Sequence, residues 1–161
     1  MTTAFDFTAT DIDGNPLPLS DFAGNVLLIV NVASRCGFTP QYAGLEQLWR
    51  DYRQAGLVVL GFPCDQFGHQ EPEDEAGIRS FCALNYAVSF PMSSKIEVNG
   101  DGAHPLWRWL RGQRRGLLGT GTIRWNFTKF LIGRDGQVIA RHAPVRKPAS
   151  LVGEIQAALS R

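Results

Sequence analysis

Val26-Leu27-Leu28-Ile29-Val30-Asn31-Val32-Ala33, continued by Ser34-Arg35-Cys36-Gly37-Phe38-Thr39-Pro40, is the stretch on which the fold turns. A continuous apolar run rich in β-branched side chains is the pattern of a strand buried on both faces of a partly parallel sheet. It falls far short of the roughly 20 apolar residues that span a bilayer. Thr39-Pro40 then reads as an N-cap with proline at the first helical position, and Leu45, Leu48, Trp49 and Tyr52 recur at helical spacing behind it. Gly56 ends that helix and Leu57 to Phe62 is a second apolar strand, which predicts a strand-helix-strand unit of the right-handed parallel type. Cys36 sits where the strand gives way to the helix.

On the N-terminal side, Phe5 and Phe7 alternate with polar neighbours, Asp13-Gly14 supplies a turn, and Leu17 and Leu19 resume the alternation, predicting a β-hairpin. On the C-terminal side a polar loop covers Pro63 to Glu73, and Asp74 to Tyr86 reads as a short helix with Ile78, Phe81, Cys82 and Leu84 on its apolar face. Gly77 weakens that helix by about 1 kcal/mol relative to alanine. Leu106, Trp107 and Leu110 mark another helix, Phe127 to Ile132 and Gln137 to Ala140 form a hairpin around Asp135-Gly136, and Ser150 to Leu159 closes the chain as an amphipathic helix. This order predicts one α/β domain over residues 1–161: a mixed central sheet flanked by helices, with an N-terminal hairpin, in the order of a thioredoxin-like fold. Such a scaffold carries oxidoreductases, transferases and binding modules alike, so function has to come from the site.

Sixteen Lys plus Arg against fifteen Asp plus Glu leave a net charge of +1, so no global field recommends nucleic acid or an anionic membrane as partner. The cluster Arg108, Arg111, Arg114 and Arg115 reads as a solvated face. Met1-Thr2-Thr3-Ala4-Phe5-Asp6 has neither a basic n-region nor an apolar h-region, and a cytoplasmic address is the expectation. Three cysteines, Cys36, Cys64 and Cys82, at wide spacing suit neither a disulfide framework nor paired zinc ligands. In a reducing compartment they are inert core residues or reactive thiols. A thiol after a buried parallel strand and before a helix lies at the opening of the strand's carboxyl end, toward the positive end of the helix dipole, a setting that favours thiolate. Arg35 beside it reads as a surface arginine.

Asn31-Val32-Ala33-Ser34-Arg35-Cys36-Gly37-Phe38-Thr39 resembles the active-site segment of glutathione peroxidases. Leu60-Gly61-Phe62-Pro63-Cys64-Asp65-Gln66-Phe67-Gly68-His69-Gln70-Glu71-Pro72 is similar to that family's second signature, and Trp125-Asn126-Phe127-Thr128-Lys129-Phe130-Leu131 to its third. The resemblance covers nearly the whole chain. It implies that Cys36 is the peroxide-reactive residue and that Gln70, Trp125 and Asn126 are its catalytic partners. Independently of the resemblance, an indole N–H and two carboxamides are neutral donors that stabilise a thiolate without quenching it, and that hold a peroxide oxygen as charge develops on it.

Gln66, a second amide in the same loop, reads as a loop stabiliser; His69 as an exposed loop residue; Cys64 as structural. The resemblance also implies that Cys82 is the resolving cysteine, as in relatives that use a second cysteine in place of selenium. Asp65 departs from the family by replacing a common asparagine. The short stretch Arg111 to Arg124 lacks the long insertion of the tetrameric glutathione-dependent animal enzymes, which resembles the monomeric branch with its open site. The expected cycle runs through a Cys36 sulfenic acid and a Cys36–Cys82 disulfide, with thioredoxin preferred over glutathione as reductant and no metal, flavin or haem required. Two rivals stand beside it: a peroxide sensor using the same two cysteines and relaying its oxidation to a partner protein, and a zinc-binding or structural thioredoxin-like module using Cys36, Cys64, Cys82 and His69.

Overall fold

The computed structural model describes residues 1–114 and 121–161. Arg115 of the basic cluster and part of the short Arg111–Arg124 stretch lie outside the described residues. Strands β1 (Thr8–Thr10) and β2 (Pro16–Pro18) form the N-terminal hairpin; β3 (Val26–Val32), α1 (Gln41–Tyr52) and β4 (Leu57–Pro63) form the strand-helix-strand unit. Then follow α2 (Glu75–Tyr86), α3 (Pro105–Gln113), β5 (Lys129–Ile132), β6 (Val138–His142) and α4 (Val152–Leu159).

The main sheet has the order β4-β3-β5-β6. β3 pairs parallel with β4 from Val26↔Leu57 to Val32↔Pro63 and antiparallel with β5, so the sheet is mixed. All seven residues of β3 are buried, and its alternation divides them between two cores. Val26, Leu28, Val30 and Val32 meet Leu45 and Leu48 of α1, Ile78 and Cys82 of α2, and Ile155 and Ala158 of α4. Leu27 and Ile29 face Leu106, Trp107 and Leu110 of α3 together with Ala9 and Leu19 of the N-terminal segment. Each such side chain contributes about 1.5–3 kcal/mol by its burial, which is why this strand sits at the centre of the sheet. Gly61 of β4 is glycine for lack of room: a Cβ there would lie 2.5 Å from Met92 Sδ.

Several boundaries differ from the sequence reading for identifiable reasons. Phe5 lies in a 3-10 turn (Ala4–Asp6) and Leu19 in another (Leu19–Phe22), so the hairpin strands are shorter than the alternation suggested. The last helix is preceded by a 3-10 turn, Pro148–Leu151, and its regular part starts at Val152. Leu84 does not belong to the apolar face of α2; it is 85% exposed, and Ile78 and Cys82 are the helix's two buried residues. Gly77 sits in the first turn, where its N–H donates to Asp74 Oδ1 at 2.9 Å and an added Cβ would lie 2.9 Å from Glu73 Cβ. Its glycine therefore serves the start of the helix as well as weakening it.

Candidate active site

Three segments meet at the end of the sheet where the parallel strands β3 and β4 finish: the turn 33–39, the loop 63–73 and the segment 125–128. The turn is built around Thr39. Its hydroxyl accepts from the Cys36 N–H at 2.8 Å and donates to the Ala33 carbonyl at 2.8 Å, while its own N–H donates to the Cys36 carbonyl. Thr39 is thus the clamp of the cysteine turn and not a helix N-cap; with its hydroxyl spent twice, α1 opens at Gln41, with Pro40 before it. Cys36 is 7% exposed, and the Phe38 N–H donates to its sulfur at 3.4 Å, a bond that a thiolate accepts more strongly than a thiol. Arg35 points away, to Glu73 at 2.9 Å on the surface.

The second segment is tied to the first through the backbone, Arg35 N–H to the Gln70 carbonyl at 2.9 Å. Within the loop, Asp65 Oδ1 accepts from the Glu71 N–H at 2.9 Å and Oδ2 faces the exposed His69, so the aspartate is the loop's own brace. Gln66 spends its amide on the neighbouring segment, accepting from the N–H groups of Val98 and Asn99 and donating to the Asn99 carbonyl. Gln70 turns the other way. Asn126 Nδ2 donates to Gln70 Oε1 at 3.0 Å, and Asn126 is fully buried. In either orientation of the two amides, one NH2 group of the pair has no partner among the described residues. The chain at Gly68 passes over the Trp125 ring, which stacks at a tilt on Phe67 with centroids 5.8 Å apart.

What fixes Trp125 and Asn126 is Asn31, a fully buried asparagine inside β3 that sequence reasoning left without a role. Its Nδ2 donates to the Trp125 carbonyl at 3.1 Å, its Oδ1 accepts from the Thr128 N–H at 3.0 Å, and its carbonyl accepts from the Phe127 N–H at 2.6 Å. Phe127 is held at φ +65, a left-handed conformation that a phenylalanine adopts only when its surroundings impose it, and this is why β5 starts at Lys129 and not at Phe127. The signal for Asn31 was available: an amide within an otherwise apolar, wholly buried strand must have partners. Lys129 gives the same signal. Fully buried, it donates from Nζ to the carbonyls of Pro144 and Arg146, and burial pushes its ammonium down to about 7. The loop it pins forms one wall of a cavity of about 410 Å³ beside the cysteine turn, lined by Gly37, Phe38, Pro40, Val145, Lys147 and Pro148 among others.

All three cysteines are free thiols. Cys82 lies on the inner face of α2, in the same core cluster as Cys36, and burial pushes its thiol up to about 11; the Tyr42 hydroxyl offsets part of that rise and the charge of Glu71 adds to it. Cys64 is 1% exposed at the end of β4, and burial pushes it likewise up to about 11. The described residues hold no group of three or more His, Cys, Asp or Glu placed to bind a metal ion, which leaves the zinc-module reading without support.

The profile of the family described as Glutathione peroxidase matches residues 4–111. The chain belongs to the glutathione peroxidase family. Relatives extend the match beyond residue 111: the glutathione peroxidase-like peroxiredoxin gpx1 of Schizosaccharomyces pombe is 48% identical over 99% of this chain and 100% of its own. The hydroperoxy fatty acid reductase gpx1 of Synechocystis is 47% identical over 96% of this chain and 94% of its own. Among solved structures, the crystal structure of Trgpx in apo form superimposes with a TM-score of 0.83 at 44% identity, covering 99% of this chain and 97% of that one. A thioredoxin-family thiol:disulfide interchange protein from Chlorobium tepidum reaches 0.75 at 19% identity, covering 98% and 96%, and shares the fold. The thioredoxin-like fold with its mixed sheet and N-terminal hairpin therefore stands, and as a glutathione peroxidase family member the chain is a thiol peroxidase that reduces hydroperoxides.

Proposed function

We propose that Cys36 is the peroxidatic residue, with Gln70, Trp125 and Asn126 as its catalytic partners and Cys82 as the resolving thiol. The Cys36 thiolate attacks the distal oxygen of the hydroperoxide, the O–O bond breaks, and the proximal oxygen leaves as water or an alcohol while Cys36 becomes a sulfenic acid. The observation that carries this reading is the Gln70–Asn126 amide pair, hydrogen-bonded to each other and tied to the Cys36 turn through the Gln70 carbonyl, with one NH2 group unspent. A neutral donor fixed in advance stabilises the developing oxyanion without reorganising at the moment of reaction.

Cys82 then displaces hydroxide from the sulfenic acid, and a dithiol protein of the thioredoxin type reduces the disulfide in preference to glutathione. The presence of Cys82 in the same chain supports this preference, because an intramolecular thiol at an effective concentration of about millimolar or above competes with a small thiol for the sulfenic acid. The mostly apolar cavity beside the cysteine turn supports admission of organic as well as inorganic hydroperoxides, in keeping with the name of the Synechocystis relative. The cycle proceeds in a monomer and, by our reading, in the cytoplasm. No helix among the described residues is long and apolar enough to cross a membrane. The test is peroxide consumption with thioredoxin and with glutathione side by side, for wild type and Cys36→Ser. The account expects far faster turnover with thioredoxin and none in the variant; equal turnover with the two reductants would remove the dithiol preference, and residual turnover in the variant would remove Cys36.

A further inference from the structure

Asn31 sits where the pairing of β3 with β5 stops. The antiparallel register runs from Leu27↔Ile132 to Val30↔Lys129, so Asn31 and Thr128 are the next pair and would exchange two backbone hydrogen bonds if the ladder went on. One of the two is present, from the Asn31 N–H to the Thr128 carbonyl at 3.4 Å. The other is rerouted. The Thr128 N–H donates to Asn31 Oδ1 at 3.0 Å, and the Asn31 carbonyl so freed accepts from the Phe127 N–H at 2.6 Å. Phe127 and Thr128 together thus stand against Asn31 alone, the arrangement of a bulge, which re-aims the chain leading into it. Phe127, fully buried, takes φ +65 at this point. A valine or isoleucine at position 31, otherwise at home in this strand, has no oxygen with which to intercept the Thr128 N–H.

The other half of the Asn31 side chain reaches the peptide that joins Trp125 to Asn126. The carbonyl of that peptide accepts from Asn31 Nδ2 at 3.1 Å and from the Thr128 hydroxyl at 3.0 Å, which uses both of its lone pairs. Exchanging the Asn31 oxygen and nitrogen would set oxygen against carbonyl and NH2 against N–H, so the orientation of this amide is determined by its partners. We propose that Asn31 is a positioning residue for hydroperoxide reduction: it fixes the Trp125–Asn126 peptide and through it aims the Trp125 indole and the Asn126 amide. The inference rests on the reading of Trp125 and Asn126 as partners of Cys36, and extends it to a residue whose contacts are with the backbone of those donors. The Asn126–Gln70 bond at 3.0 Å and the contact of the Trp125 and Phe67 rings, 5.8 Å between centroids, both depart from this one peptide. A donor misplaced by about 1 Å loses much of its effect on a transition state, so the plane of the peptide matters to the rate and not only to the fold.

The readout is the rate at which hydrogen peroxide oxidises Cys36 in the reduced protein, followed by stopped flow on samples whose fold is checked by circular dichroism. Asn31→Ser drops both side-chain bonds and should slow oxidation by roughly tenfold, the scale of a weakened transition-state donor. Asn31→Asp keeps the acceptor for Thr128 but sets a carboxylate against the Trp125 carbonyl, and protonation restores a donor there. Its rate relative to wild type should therefore be lowest at about pH 8 and recover to within about threefold by about pH 5, since burial raises a carboxyl group. The deciding comparison is a cycle: in a Trp125→Phe, Asn126→Ala background, Asn31→Ser should slow oxidation by no more than about twofold, because the groups through which it acts are gone. Slowing of equal size in both backgrounds overturns the proposal, and so does an unaltered rate in Asn31→Ser alone. If Trp125→Phe, Asn126→Ala itself oxidises as fast as wild type, the reading of those two residues as partners falls and the inference with it. Where Asn31→Ser does not fold, the pH profile of Asn31→Asp decides, and a constant ratio to wild type overturns the proposal. Where neither folds, Thr128→Val, which drops the second donor on the same carbonyl, takes their place in the cycle; roughly threefold slowing is expected and an unaltered rate overturns the proposal.

Discussion

Cys64 directly follows β4 and Cys82 lies within α2; both are no more than 4% exposed, and burial pushes both thiols up to about 11. Their acidity does not distinguish them, but their attachment does. All seven residues of β4 are buried, and the Cys64 backbone is held from two sides, by its N–H to the Val32 carbonyl at 3.1 Å and by a parallel bridge to Ile96. In α2 two of twelve residues are buried, and a cavity of about 330 Å³ reaches Cys82 between the helix and the N-terminal hairpin. Moving Cys64 means breaking the sheet; moving Cys82 means releasing two buried side chains, the partly buried Phe81 and Tyr86, the exposed Arg79–Asp13 ion pair, and the hydrogen bonds of Arg79 to the Ile12 carbonyl and of the Lys95 N–H to Glu75. A resolving thiol buried against a separate helix has to travel, since a disulfide tolerates Cα separations only up to about 7 Å. On the roles proposed above, the difference teaches that freedom to open locally, more than thiol chemistry, would select the cysteine that reaches Cys36.

The sharpest way to break this comparison is to remove each thiol in turn. Cys82→Ser should lose thioredoxin-supported turnover by roughly a hundredfold or more, and accumulate sulfinic acid at Cys36, visible by intact mass. Cys64→Ser should retain turnover within about threefold and instead lose roughly 1–3 kcal/mol of stability, measured by denaturant unfolding, for a hydroxyl placed in an apolar site. Loss of turnover in Cys64→Ser with turnover kept in Cys82→Ser would exchange the two roles.

A smaller effect separates the elements themselves. Amide exchange across residues 75–86 should quicken by roughly tenfold or more in the oxidised protein, because the helix has to open to form the disulfide, while β4 stays protected in both states. Equal protection of α2 in the reduced and oxidised proteins would contradict a moving helix. The smallest effect is electrostatic. Alkylation of both thiols in the reduced protein should be slow at neutral pH and rise toward about 11; Glu71→Gln should lower the midpoint for Cys82, whose thiolate the carboxylate opposes, and leave that of Cys64, shifted by burial with Asp65 and Glu97 as its acidic neighbours, in place.

The elements legible in the sequence are those whose cause is local. The apolar run of β3, the helical spacing of Leu45 and Leu48, and Gly56 at a left-handed φ of +112 each carry their reason within a few residues. The proposed site could be named from the sequence as a set of chemical groups, Cys36, Gln70, Trp125 and Asn126, but not as a scaffold. Asn31 acts on Trp125 across 94 positions of sequence, and no periodicity reaches that far. Thr39 read as a helix cap because capping and clamping a turn use the same hydroxyl, and only the Cys36 N–H and the Ala33 carbonyl decide between them. Leu84 fitted the helical stripe of α2 yet points outward, because so short a helix buries only one narrow line of contact. The full burial of Glu71 was hidden by its type, since an acidic residue in a polar loop is ordinarily solvated.

Peptide mapping under non-reducing conditions after one equivalent of peroxide tests the central claim most directly. The account predicts a single disulfide joining the Cys36 and Cys82 peptides, with Cys64 recovered as a free thiol. A Cys36–Cys64 disulfide, or Cys36 left as sulfenic acid with Cys82 still reduced, would contradict it.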